Sequence, residues 1–262
     1  MWTVFGKPFE FAHKEGLRFG LNDGDSAMKL SLPIYQLKRR AKSMAREERI
    51  PLHKALDRVA SMEGFAAWSL LSARAARSFS DALLGRLQDG DLVLLAARPG
   101  QGKTIVGLHT LVDARRADRP AILFTLDMTE EEARHRLVEM SDPRVANSIG
   151  IETSDDIGAD FIVSVLAGAK PGTVAVVDYL QLLDQRRSKP PLTDQIEKLR
   201  QFAVENGLVL VFLSQVDRSF NQTQRKVPDI ADVRLPNPVP IEVFNKRLFL
   251  HDGEVRLENC AA

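Results

Sequence analysis

The chain has 262 residues, 44% hydrophobic and 27% charged, with a formal net charge of +1. That balance suits a soluble α/β domain with a small extra unit, and it excludes a disordered, collagen-like or disulfide-scaffolded chain. The single cysteine, Cys260, forbids an internal disulfide and fits a cytoplasmic setting. No apolar run reaches membrane-spanning length and the start lacks a signal-peptide pattern, so no membrane partner is expected.

Charge is placed unevenly. Residues 29–80 carry 11 Lys/Arg against 4 Asp/Glu, a net +7, whereas residues 81–262 carry 22 against 27, a net −5. Any broad electrostatic footprint for nucleic acid, or for an acidic protein partner, therefore lies on the N-terminal part. The alternative for this basic cluster is a solvated face.

Residues 1–30 read as an irregular arm and residues 31–72 as a small helical domain. Ile34, Leu37, Ala41 and Met44 recur at helical spacing, flanked by Lys38, Arg39, Arg40 and Lys42. A second helix opens at Pro51, shows Leu52, Leu56, Val59 and Ala60, and stops near Gly64. Phe65–Leu71 closes the unit, and His53 reads as a surface histidine. Residues 73–88 read as a linker helix, and residues 89–262 as the main domain.

In the main domain strands alternate with helices. The strand at 91–96 leads to a helix over about Lys103–Ala117, then to the strand Ala121–Thr125. A helix opens after Thr129 with the capping box Thr129–Glu132. A weaker helix spans about Asp160–Ala167, and the strand Thr173–Val177 ends at Asp178. Helix Thr193–Glu205, strand Leu208–Leu213 and the hairpin Arg247–His251/Glu254–Leu257 about Asp252-Gly253 complete the series. This alternation predicts an α/β fold: a mainly parallel sheet with helices on both faces, and ligands at the carboxyl ends of the strands.

The most informative stretch is Ala97-Arg98-Pro99-Gly100-Gln101-Gly102-Lys103-Thr104. Strand, glycine-bearing loop, Gly-Lys-Thr and helix make a phosphate-binding loop. Gly100 and Gly102 let successive N–H groups converge, and the following helix adds its positive end. Residues 98–104 would hold the nucleotide, with Lys103 reaching the β/γ-phosphates and Thr104 holding Mg²⁺. The competing reading is an ordinary βα turn. Asp178, ending an apolar strand, is a second candidate for Mg²⁺, the alternative being a helix cap.

Four segments carry a family resemblance over residues 88–220. They are Leu94–Thr104, Phe124-Thr125-Leu126-Asp127-Met128, Val177-Asp178-Tyr179-Leu180-Gln181-Leu182 and Leu213-Ser214-Gln215-Val216-Asp217-Arg218-Ser219. They resemble, in family order, the motifs of the replicative DNA helicases of the DnaB type. The resemblance implies a RecA-like P-loop ATPase core using ATP and Mg²⁺. It implies that Lys103 neutralises phosphate charge and that Thr104 and Asp178 position Mg²⁺. Asp127 stands where the family has a water-activating glutamate, one methylene longer. Gln215 matches the γ-phosphate sensor; taken alone it would be a loop hydrogen bond. The run Pro51–Leu71 resembles a small helical domain often labelled glyoxalase-related, which implies no chemistry here.

The chain departs from the family pattern as well. The DNA-contacting loop appears as Asp232–Pro240, with Pro236, Pro238 and Pro240 in place of a glycine-bearing run. Arg256 is the nearest candidate for the family's basic finger, the alternative being a solvated hairpin charge. Arg186, Arg187 and Lys189 are candidate contacts for single-stranded DNA, or a solvated loop. Three functions follow: a DNA-stimulated ATPase or helicase working as a head-to-tail homo-oligomeric ring; a slowly hydrolysing regulatory or loading switch that binds a protein partner; or a degenerate remnant that binds nucleotide without turnover.

Overall fold

The computed structural model describes residues 30–32, 34–72, 74, 83–178, 180, 190–222, 225, 227–234, 241–251 and 254–260. The expected arm, most of the linker, the basic loop at 186–189, the prolines at 236, 238 and 240 and the turn at 252–253 lie outside these residues.

In the helical unit, α1 (Ile34–Glu47) and α2 (Leu52–Met62) pack on each other, with a helical turn at 68–72. Leu37 and Ala41 from α1 meet Ala55, Val59 and Ala60 from α2, and Leu71 joins them in one apolar cluster. Pro51 caps α2 rather than forming its first turn. His53 is exposed.

The main domain runs β1 (Leu92–Ala97), α3 (Lys103–Arg116), β2 (Ala121–Thr125), α4 (Glu130–Met140), α5 (Pro143–Asn147) and β3 (Gly150–Glu152). It continues through α6 (Ala159–Leu166), β4 (Val174–Asp178), α7 (Leu192–Asn206), β5 (Val209–Gln215), β6 (Lys246–His251) and β7 (Glu254–Asn259). The sheet order is β3-β2-β4-β5-β1-β6-β7, parallel throughout except for the β6/β7 hairpin. The capping box at Thr129 forms, with Glu132 on the cap N–H.

Strand side chains alternate between two faces, and each face has its own apolar cluster. Leu92, Leu94 and Ala96 of β1 join Ala175, Val177, Leu210 and Phe212 beneath α6 and α7. Val93, Leu95 and Ala97 join Val174, Val176, Val211 and Leu213 beneath α3 and α4. Leu83 and Leu87, from the expected linker, are buried in the α3-side cluster. Helix α3 lies close to the sheet because Gly107 faces it: a Cβ there would sit 3.1 Å from both Leu213 Cδ1 and Val176 Cγ1.

At the opposite end of the strands, buried Lys246 forms an ion pair with Asp91, and the Asn245 amide donates to Asp91 Oδ1 at 2.6 Å. The Leu92 N–H in turn donates to Asn245 Oδ1 at 2.9 Å. These bonds fasten the start of β6 to the start of β1.

Candidate nucleotide site

Strand parity decides which side chains meet. Asp178 follows Val174 and Val176 in phase, so it projects to the face covered by α3. The same parity carries Thr125 of β2 and Gln215 of β5 to that face. Because β5 lies between β4 and β1, Gln215 pairs with Ala97 at the mouth of the phosphate loop, and Thr125 pairs with Asp178. Gln215 is therefore the last residue of a strand, two residues beyond the end expected at Leu213. Pairing with β1 extends β5 that far, two residues past the end of its pairing with β4.

The loop 98–102 turns through two left-handed glycines, Gly100 at φ 75° and Gly102 at φ 90°. A residue with a Cβ is strained in both conformations. A Cβ placed on either would meet nothing within 4 Å, so the strain there is one of backbone conformation and not of crowding. Gly102 is also the N-cap of α3, and no side chain caps that helix. Its first-turn N–H groups thus stay available, as an anion requires. Ala97 replaces the usual first glycine without difficulty because it is still β1 backbone, fully buried and paired.

At the foot of α3, Lys103 Nζ donates to Asp178 Oδ1 at 2.8 Å and Thr104 Oγ1 donates to Asp178 Oδ2 at 2.8 Å. Asp178 has no exposed surface and Lys103 is 8% exposed. The three residues singled out for phosphate and metal are thus one hydrogen-bonded group, assembled from positions 75 residues apart. Thr104 and Asp178 offer hard oxygen donors, the set Mg²⁺ takes.

Asp127 lies just past β2. Its N–H donates to the buried Thr125 hydroxyl at 3.1 Å. Its outer side is exposed. Partial burial, reinforced by the charge of Asp178 and opposed by Lys103, lifts its carboxyl above the ordinary carboxylate range. Thr125 was not picked out from the sequence. The signal for it was a hydroxyl at a strand end, opposite an aspartate.

Arg98 has a second role beyond the loop. Its guanidinium donates to the Val216 carbonyl at 3.0 Å, while the Val216 N–H donates to Ala97 at 3.0 Å. The Gln215 carbonyl accepts from Arg234 N–H at 2.7 Å. The phosphate loop and the segment after β5 are therefore tied at two points, and the end of β5 is tied to Arg234 at a third. Pro99 and Gln101 complete the loop, with Gln101 N–H donating to the Arg98 carbonyl at 3.1 Å. Arg256 is not a solvated hairpin charge: it lies 5.2 Å over the Phe249 ring and 3.1 Å from Glu258. Cross-strand pairing of 249 with 256 puts it there.

Comparison with known proteins gives consistent results. Residues 77–153 and 165–238 match the family model described as the DnaB-like helicase C-terminal domain. The chain is 28% identical over 188 residues to a replicative DNA helicase DnaB of Synechocystis sp., covering 59% of this chain and 21% of that protein. It is 24% identical over 211 residues to the DnaB of Pasteurella multocida, covering 66% of this chain and 44% of that protein. The chain thus spans less than half the length of these curated relatives. A solved structure, described as a DnaB-like replicative helicase and its interactions with primase, superposes with a TM-score of 0.52 at 21% identity. That match covers 83% of this chain and 67% of that one, and shows a shared fold.

Proposed function

The chain belongs to the DnaB-like helicase C-terminal domain family, and from that membership we propose that it binds ATP with Mg²⁺ at residues 98–104 and hydrolyses it. Its core is a divergent α/β RecA-like domain of a helicase-like ATPase family. One observation carries the proposal: Lys103 and Thr104 converge on the buried carboxylate of Asp178, beside an uncapped helix N-terminus. Phosphate oxygens would take the N–H groups of the loop and the Lys103 ammonium. Thr104 and Asp178 would hold Mg²⁺, which when bound neutralises charge building on the phosphates. Asp127 would orient the attacking water and take its proton, and Gln215 would contact the γ-phosphate.

The oxygen of Asp127 reaches about 1.5 Å less far than that of a glutamate, one C–C bond being lost. Displacements of that size cost water-activating groups much of their rate. This supports a second reading, in which the chain is a slow nucleotide switch that regulates or loads a protein partner without unwinding DNA. DNA stimulation and a homo-oligomeric ring belong to the first reading. In either, we assign residues 31–72 as a helical domain and 89–262 as the ATPase domain, at work in the cytoplasm; of the expected linker 73–88, Leu83 and Leu87 pack into the core of the ATPase domain.

ATP turnover measured with and without single-stranded DNA, on protein of known solution mass, tests both readings, with Lys103→Ala as control. The helicase reading expects stimulation and a multimer. Slow turnover, unstimulated and monomeric, supports the switch. Absence of ATP binding in the parent overturns the proposal.

A further inference from the structure

The helical unit has no part in the nucleotide site, yet it carries the chain's concentrated positive charge. On α1, Lys38, Lys42 and Arg46 follow at i, i+4 and i+8, and Arg39 lies in the same strip. Leu37 and Ala41 occupy the opposite side and are fully buried against α2. The apolar side of α1 is thus used by the unit's own core, which argues against a helix that inserts its apolar face into a lipid surface.

The acidic residues of the unit bond groups other than Arg39, Lys42 and Arg46. Glu47 accepts from Ser43 at 2.9 Å and Asp57 accepts from the Trp68 N–H at 2.9 Å. Glu48 is taken by Arg58, and Glu63 by the Ser31 N–H at 2.7 Å. Arg39 and Arg46 are exposed and Lys42 is half-buried. Among the described residues, none of these three enters an ion pair.

We propose that this face of α1 binds the phosphodiester backbone of nucleic acid, as a second contact distinct from the ATPase domain. The argument is charge and spacing. From Arg39 to Arg46 the helix rises about 10 Å at 1.5 Å per residue. That is the axial length of about three phosphates on one strand, at 3.4 Å each. The side chains are long and flexible point charges, which suits them to phosphate oxygens. About three neutralised phosphates give a salt slope near −2 on a single strand, a loss of about 20-fold in affinity between 50 and 200 mM salt.

The test is fluorescence anisotropy of the full chain, without nucleotide, on a labelled single-stranded DNA 20-mer, its duplex and the matching RNA. The variant is Arg39→Gln/Lys42→Gln/Arg46→Gln. A charge-matched control, Arg136→Gln/Arg144→Gln/Lys170→Gln, removes three exposed charges from the ATPase domain. We expect the strip variant to lose at least tenfold in affinity in every arm, with about two units of salt slope lost on the single strands and nearly three on the duplex. The control stays near the parent, circular dichroism of both variants matches the parent, and DNA-free ATP turnover is unchanged. The Lys103→Ala protein binds like the parent, which separates this proposal from the fate of the ATPase reading. Equal losses in the control, or a parent without salt-dependent binding in any arm, overturn it; the strip would then face an acidic protein surface.

Discussion

Replacing Lys103 with alanine removes more than a phosphate contact. Asp178 is fully buried, and its carboxylate has Lys103 on one oxygen and Thr104 on the other, each at 2.8 Å. Removing one partner of a buried ion pair costs about 3–5 kcal/mol, because the remaining charge stays desolvated. The Thr104 hydroxyl persists, so the lower end applies, about 3 kcal/mol. For a chain of this size that lowers Tm by roughly 6–12 °C. Urea unfolding of nucleotide-free protein measures it. In Lys103→Ala/Asp178→Ala the orphaned charge is gone, so the double variant is less destabilised than the two single losses added together, by about 2 kcal/mol. A Lys103→Ala protein within 0.5 kcal/mol of the parent, or strictly additive losses, would refute this account of the site. The same experiment calibrates the turnover control, since a partly unfolded Lys103→Ala protein would mimic a catalytic defect.

Asp127 has a pH signature. Its carboxyl is raised above 3.8 by burial and by Asp178, so the folded chain holds that proton more tightly than the unfolded chain. The stabilisation is present at low pH and is lost as pH rises through the raised value. Asp127→Asn is therefore expected to raise Tm at pH 7, with the gain shrinking toward pH 3.8. In turnover, Asp127→Glu, restoring the lost methylene, speeds hydrolysis; an unchanged or slower rate argues against Asp127 as the base. Gly107→Val places branched carbons where a single Cβ already meets Leu213 and Val176 at 3.1 Å. It should destabilise by about 2–3 kcal/mol in urea unfolding and weaken nucleotide binding by displacing the N-terminus of α3.

The site was legible from the sequence because its chemistry is local. Gly100, Gly102, Lys103 and Thr104 lie within five residues, and Asp178 ends a run whose apolar character needs no partner to be recognised. The capping box at Thr129 was equally local. What escaped notice depends on pairing. β3 has only three residues, Gly150–Glu152, too few for an alternating pattern, and exists because β2 offers an edge. Gln215 became strand because β1 extends to Ala97 beside it. The Asp91–Asn245–Lys246 cluster joins the ends of two strands and has no signature along the chain. Arg256 was the opposite case: the expected hairpin register already set it across from Phe249, and only the habit of placing charges in solvent hid the stacking.

The fastening of β6 to β1 bears on how the chain is made. β1 is the first core strand to leave the ribosome, yet its two neighbours lie 118 residues later, at Val216 beside Arg98, and 153 later, at Asn245 beside Leu92. Until both arrive, a six-residue apolar strand keeps an edge unsatisfied, the one that β6 covers being the last to close. Synthesis at about 5–20 residues per second leaves that edge open for roughly 8–30 s. Over that interval the newborn chain is a substrate for holding chaperones, and its core closes only when its last quarter is in place.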